Sequence, residues 1–347
     1  MNKGVERKHN LSDVIEALQR YGGMTQTQLK DRCGLLASTV SYTVRDLKKF
    51  GFIIELGQVP SDGRPGKPGS LIGLNNEKAA FLGIYAEDNF LDAQIIGIDE
   101  TTLHQSRHIF EDMQVEKTIF KVIHQSLKTY PQIRGVGVAI KGIVYNDGTI
   151  RSGKRTDGKG SEGFWSFASL GSGLAEAFPQ LIFAVENDAN CAAVQYHHLT
   201  CREKENLVVY LLNKNPFGIG CGILVGGQLY RGYKGAAGEF FEKDSRLRDL
   251  ADSLEGNSDF LTRYLPALVP HILQTAWLLD PEEVVLAGSY FDNLSQEDIL
   301  AAKALFSASS VKIRIKGGIL ELNPARGAAL LVTNGYITSF IEEVKKR

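Results

Sequence analysis

Glu186-Asn187-Asp188-Ala189-Asn190 follows a short apolar run, Leu181-Ile182-Phe183-Ala184-Val185, that reads as a buried strand. The next segment, Cys191 to His198, can start a helix. Carboxylate and amide side chains therefore stand at the carboxyl end of a strand, where open α/β sheets place their ligands. The same five residues also suit a plain strand-end turn capped by Asn and Asp. The rest of the chain has to separate the two.

Working outward, strands and helices alternate on both sides of this stretch. Phe81–Tyr85 and Leu91–Ile98 read as the first two strands of a sheet, with Ile109 and Phe110 ending a third. A helix is expected from Val115 to Tyr130, then a buried strand over Gly135–Ile140. Asn146 to Trp165 is rich in Gly, Lys, Asp and Ser and reads as a long loop, which in a compact domain is functional or mobile. Leu207–Leu212, Gly222–Val225 and Glu283–Ala287 are further strands, Arg246 to Leu279 is mostly helical, and a final helix starts near Pro324. This pattern predicts an α/β body of two lobes over residues 76–347, each opened by strand–turn–strand.

Residues 1–75 have a different character. They hold 11 Lys/Arg and 7 Asp/Glu, net +4, while the remainder holds 28 and 33, net −5. A basic head on an acidic body points to a polyanion as the head's partner. Leu11, Val14, Ile15, Leu18 and Tyr21 recur at helical spacing, with Ser12 and Asp13 near the expected start. Thr25 with Gln28 forms a capping-box pattern for a second, short helix. After the Cys33-Gly34-Leu35-Leu36 turn, a third helix is expected from Ala37 to Phe50. Its apolar face is Val40, Val44, Leu47 and Phe50. Its other face shows Ser38, Thr39, Ser41, Tyr42, Thr43 and Arg45, side chains suited to base edges and phosphates.

Two strand-like runs, Phe52–Leu56 and Ser70–Leu74, follow that helix and make the head a winged helix-turn-helix. The Gly- and Pro-rich connection, Ser61 to Pro68, is thin enough for Arg64 and Lys67 to reach a minor groove. The competing reading is a three-helix protein-interaction module with a solvated basic loop.

Hydrophobic residues make up 43% of the 347, as in soluble globular protein, and no apolar run reaches transmembrane length. With a polar, charged beginning, the expected compartment is the cytoplasm. The four cysteines form no CxxC pair and read as reduced, mostly buried thiols. Bland readings are preferred for His197-His198, a packed or solvated helical pair, and for Lys345-Lys346-Arg347, a solvated tail. Phe164 and Trp165 suit core packing at least as well as a ligand site.

Together these pieces resemble the ROK family (repressor, open reading frame, kinase). The winged head with Gly63-Arg64-Pro65 resembles the amino-terminal domain of its repressors. Glu186–Asn190 and the run from Gly232 to Gly238-Glu239 resemble the sugar-site motifs of its actin-like, sugar-kinase body. Gly288-Ser289 and Gly327-Ala328-Ala329 resemble its carboxyl-terminal pieces. The resemblance implies that Asp188 stands where the kinases carry the general base for the sugar hydroxyl, and that Asn187, Glu239 and Glu255 (in Ser253-Leu254-Glu255) stand at sugar ligands.

The departures alter what is inherited. The kinases open this body with an Asp-x-Gly-Gly-Thr phosphate loop, and here the stretch is Tyr85-Ala86-Glu87-Asp88-Asn89. Without glycine the backbone cannot approach a triphosphate, and Glu87 and Asp88 repel it. The second loop, Asn215-Pro216-Phe217-Gly218-Ile219-Gly220, carries Pro and Phe in place of small residues. The family's zinc module is also missing: Glu242 occupies its His position and no Cys follows Cys221, so no structural zinc and no cofactor are expected.

The expectation is thus a repressor of carbohydrate metabolism that binds a double-stranded DNA operator as a homodimer or homotetramer, away from membranes. A sugar or sugar derivative in an inactive kinase-like body would control it, with Asp188 a vestigial base. Two other readings stand beside it: an active ATP-dependent sugar kinase with a DNA-binding head, and a constitutive regulator whose body only oligomerises.

Overall fold

A computed structural model describes residues 3–59, 69–87, 89–110, 115–151, 155–156, 162–163, 170–200, 202–214, 218–239, 245–254, 259–292, 294–316 and 322–346. Expectations resting on Arg64, Lys67, Asp88, Phe164, Trp165, Cys201, Glu242 and Glu255, and on 215–217 of the second loop, lie outside these residues.

Helix α1 covers Lys3–Tyr21, α2 Gln26–Cys33 and α3 Ala37–Lys49. Helix α1 begins well before the expected start at Ser12, because its polar first turns are tethered rather than buried. Arg7 pairs with Asp46 of α3 at 2.9 Å, and Lys8 pairs with Glu342 near the carboxyl end of the chain at 2.5 Å. The Thr25/Gln28 capping box opens α2, and Gly34, in the left-handed region at φ 65°, closes it. Strands β1 (Ile53–Val59) and β2 (Gly69–Leu74) pair antiparallel from Ile53↔Leu74 to Val59↔Gly69, forming the wing's stem.

The first lobe holds β3 (Ala80–Ala86), β4 (Phe90–Gly97), β5 (Thr102–Ile109), α4 (Val115–Thr129), β6 (Ile133–Ile140), the short hairpin β7 (Ile143–Val144) and β8 (Ile150–Arg151), the two-residue pair β9 (Arg155–Thr156) and β10 (Glu162–Gly163), α5 (Leu170–Ala177) and β11 (Ile182–Asn187). Helix α6 (Asp188–Leu199) leads to the second lobe. That lobe holds β12 (Leu207–Asn213), β13 (Gly218–Val225), β14 (Gln228–Leu229), α7 (Ser245–Asp252), α8 (Leu265–Leu279), β15 (Glu283–Ala287), α9 (Gln296–Ala304) and β16 (Ile313–Ile315). The chain then returns in α10 (Pro324–Lys346).

The two main sheets share one topology. Their orders are β11-β6-β3-β4-β5 and β14-β13-β12-β15-β16. In each, the first strand pairs antiparallel with the second and parallel with the fourth, the hairpin-then-crossover arrangement that its hydrophobic runs demand. Helices α6 and α10 pack against each other between the sheets. Their approach is close: a Cβ on Gly327 of α10 would stand 1.9 Å from the Cys191 carbonyl oxygen of α6, so only glycine fits there.

The sequence boundary at 75/76 is not a gap in packing. One apolar cluster joins Leu11, Ile15, Val44 and Phe52 of the head to Phe81 and Ile96 of the first lobe and to Leu330, Ile337, Ile341 and Val344 of α10. Phe52, fully buried, stacks on Phe340 at 3.6 Å between ring centroids and lies parallel to Tyr336 at 6.1 Å. Burying an aromatic of this kind contributes about 3 kcal/mol, so the head is fixed to the body rather than tethered to it.

Candidate functional site

Strand register builds the site. Ala86 of β3 pairs with Ile140 of β6, and Ile140 pairs with Asn187 of β11. Three parallel strands thus end level, and the residues that follow them, Glu87, Lys141 and Asp188, converge at one edge. Lys141 Nζ lies 3.1 Å from Glu87 Oε2, an ion-pair distance without hydrogen-bond alignment. The buried Tyr85 hydroxyl donates to the other Glu87 oxygen. Asp188 is only 6% exposed. Burial, helped by the negative Glu87 and opposed by Lys141, pushes its carboxyl up to about 7.

In the five-residue motif the strand runs on to Asn187 and the helix follows directly. The helix begins at Asp188 rather than Cys191, and Asn187 is its N-cap. The Asn187 side-chain oxygen accepts from the Ala189 and Asn190 amides at 2.9 and 3.1 Å, and its amide donates to the Gly142 carbonyl at 2.9 Å. An early cap satisfies two first-turn donors and draws Asp188 into the first turn. Glu186 points the other way: it accepts from Asn190 Nδ2 at 2.9 Å and pairs with Arg231 of the second lobe. Asn187 and Glu186 are therefore occupied by the protein itself, and Asp188 is the member of the motif at the converging strand ends.

Strand β13 passes beside Asp188 and beside Gly238, the residue before Glu239. A Cβ on Gly220 would stand 3.7 Å from Asp188 Oδ1. At the next residue, the half-buried Glu239 helps raise the Cys221 thiol, after burial, to about 12. The turn before Glu239 is held across the lobes by Asn146, whose amide donates to the Gly232 and Tyr233 carbonyls at 3.1 and 3.0 Å. Asp188 thus approaches β13 at Gly220, and Glu239 acts at the neighbouring Cys221. Glu255 lies outside the described residues, as does the region of Glu242. Among the described residues no group of three or more His, Cys, Asp or Glu is arranged to hold a metal ion.

Sequence reasoning missed Lys141, Arg231 and the role of Tyr85. Lys141 was legible as a lone cation directly after the apolar β6 run, level with Asp188 once parallel pairing is assumed. Arg231 gave no local signal.

A second polar surface lies on α3. Ser38, Ser41, Tyr42 and Arg45 are exposed along one face, and the Arg45 guanidinium sits 4.7 Å from the centroid of the Tyr42 ring. Thr39 is half-buried, and its carbonyl accepts from the buried Thr43 hydroxyl at 3.0 Å, which removes Thr43 from the reading face. Arg64 and Lys67 belong to the connection between β1 and β2, outside the described residues.

At its far end α6 meets the head. His198 Nδ1 lies 2.9 Å from Glu100, Arg202 pairs with the same carboxylate, and Arg202 Nη2 donates to Gln19 of α1 at 3.2 Å. Gln19 in turn donates to the Ile98 carbonyl at 3.1 Å, and Arg326 of α10 donates to the Glu100 carbonyl at 2.7 Å. The His197-His198 pair is thus packed, and burial holds His197 down to about 4.

Comparison with known proteins agrees with this architecture. A sequence profile described as "ROK family" matches residues 89–240, and one described as "MarR family" matches residues 12–65. The xylose repressors of Bacillus spizizenii and Bacillus subtilis are 24% and 25% identical over 240 residues, covering 67% of this chain. The match spans only 59% of the length of those repressors. In fold, a crystallised ROK family transcriptional regulator, a homologue of the E. coli MLC protein, superposes over 98% of this chain and 99% of its own, with a TM-score of 0.69 at 15% identity. A ROK hexokinase from Thermus thermophilus covers 74% of this chain and 99% of its own, with a TM-score of 0.56 at 18% identity. No described helix is long and apolar enough to cross a membrane. The chain is therefore similar to ROK-family proteins over residues 89–240 and to MarR-family proteins over its head, residues 12–65.

Proposed function

We propose that this chain is a cytoplasmic, sugar-responsive DNA-binding repressor of carbohydrate metabolism, acting as a homodimer or homotetramer. The observation that carries the reading is the union of the α3 face with a kinase-like site whose phosphate approach is filled. Ser38, Ser41, Tyr42 and Arg45 present hydrogen-bond donors and a cation on a MarR-type head. Where a kinase needs glycine backbone for triphosphate, this chain carries buried Tyr85 and Glu87, and a carboxylate there repels phosphate.

The effector is a sugar or sugar derivative bound by Asp188 and Glu239, with Asn187 shaping the loop through Gly142. Xylose is the first candidate, since similar chains are xylose repressors. A neutral sugar suits Glu87, Lys141 and Asp188, which offer paired acceptors and one donor to vicinal hydroxyls. Asp188 is the first residue of α6, and the far end of α6 leads through Arg202 to Gln19 of the head. Effector contacts at one end can thus bias the seat of the head at the other.

The test is a fluorescence-anisotropy titration of a duplex selected from a randomised library, with and without xylose and a panel of other sugars. Sugar-dependent change in affinity supports the reading; no sugar effect and no selected duplex sink it. The second reading, an active sugar kinase, draws on the carboxyl of Asp188, held near 7 and so suited to a general base. ATP turnover with any sugar of the panel, abolished in Asp188→Asn, would establish it.

A further inference from the structure

We propose that Leu36 is a base-reading residue, contacting the C5-methyl group of a thymine in the major groove. This rests on the DNA-binding reading above and adds a residue that the polar-face argument passes over.

The observation is a local rule broken twice at one position. Leu36 is the N-cap of α3, with extended backbone at φ −69° and ψ 147°, and no side chain caps that helix. N-caps favour Ser, Thr, Asn and Asp, whose oxygens take up the first free amides. Other helices of the chain observe the rule: Thr25 caps α2, Asn187 caps α6 and Ser295 caps α9, while α8, which continues from the helical turn Phe260–Tyr264, has Tyr264 and no side-chain cap. Only at the helix meant to enter a groove does a leucine stand in that place among these five.

Leu36 is also 74% exposed, the most exposed large apolar side chain among the described residues of the head. Packing does not require it. Its neighbour Leu35 turns inward onto the head's core, as the residue before an N-cap does in a hydrophobic staple. The helix is then anchored by Leu35, and Leu36 has no intramolecular task that its exposure serves.

The position names the occupant. In helix-turn-helix proteins the N-terminal residues of the second helix meet base edges. The one apolar group on the major-groove edge of a base pair is the thymine methyl. The exposed polar residues Ser38, Ser41 and Arg45 follow immediately on the same helix, so an operator half-site would be read by an apolar contact at its edge and by hydrogen bonds beyond it.

The experiment uses the full chain and a duplex selected by the wild-type protein from a randomised library. Each conserved thymine of that duplex is replaced in turn by deoxyuridine, which removes only the methyl group. For the wild type, one such replacement in each half-site should weaken binding about fourfold, the value of one buried carbon. Leu36→Ser should bind the thymine duplex correspondingly less tightly and show no further loss with deoxyuridine there. Its melting temperature should be equal or higher, because serine supplies the missing cap; this separates lost reading from lost folding. Equal deoxyuridine profiles for the two proteins, or a Leu36→Ser defect confined to self-association, would overturn the proposal while leaving DNA binding intact. Failure of the wild type to enrich any duplex would remove the DNA-binding reading, and this inference with it.

Discussion

Arg202 Nη2 donates to Gln19 Oε1 at 3.2 Å while the same guanidinium pairs with Glu100, so the turn that closes α6 grips the first helix of the head. The other end of α6 is Asp188. A helix of 12 residues, about 18 Å long, spans the distance between the candidate effector site and the head.

Arg202→Ala should therefore uncouple the two sites. Coupling between effector and operator typically amounts to about 5- to 150-fold in affinity. In the variant, operator affinity measured with and without sugar should differ by no more than about twofold, while sugar binding measured alone by calorimetry stays within about threefold of wild type. An undiminished sugar effect would remove α6 as the route.

Asp188→Ala should abolish the sugar response and leave operator binding intact. The companion Asp188→Asn reports on burial through pH. Below about pH 4 the carboxyl is neutral in both folded and unfolded chains. Between there and the folded value of about 7, the unfolded chain ionises while the folded one stays protonated, so stability falls as pH rises. Above 7 the full cost remains. The melting temperature of Asp188→Asn should thus gain on wild type between pH 5 and 8 and then level off, by an amount equivalent to roughly 3 kcal/mol. A pH-independent difference would mean that Asp188 is ionised throughout.

Phe52→Ala tests whether head and body are one cooperative unit. Removing a buried ring of this kind costs about 3–5 kcal/mol. Because Phe52 packs between the head and Tyr336 and Phe340, the loss falls on the joint. Wild type should melt in a single calorimetric transition, and the variant in two, the head first. Two transitions already present in the wild type would contradict the shared core.

Arg45→Ala should weaken operator binding about tenfold or more and relax selectivity at the base it reads. Tyr42→Phe keeps the ring under the guanidinium and should lose less. Salt titration distinguishes the contact: an unchanged dependence on salt with altered base preference marks base reading, whereas a slope reduced by about one marks a phosphate contact.

Much of this was legible in the residues because local chemistry and tertiary role coincide. The Thr25/Gln28 capping box, the Gly34 turn and the buried runs of β3, β4 and β6 each specify their own geometry. Where position depends on distant partners, the sequence was silent. The first turns of α1 carry no apolar stripe and are held by Asp46 and Glu342. The shift of the α6 start to Asp188 hinges on whether Asn187 caps or turns, and the Gly142 carbonyl, 45 positions away, takes up its amide. Lys141 joins Glu87 and Asp188 only through strand register, which adjacent parallel pairing fixes but no single segment reveals.

The stacking of Phe52 on Phe340 also has a bearing on biosynthesis. The wing's first strand leaves the ribosome early, yet the ring stacked on Phe52, that of Phe340, is encoded 288 residues later than it. At about 5–20 residues per second, the head waits on the order of 15–60 s for its last core residues. An unfinished or truncated chain lacking α10 should therefore fail to hold operator DNA, which a release assay on stalled nascent chains would register. Only a finished polypeptide, one that already carries its sensor, would occupy a promoter.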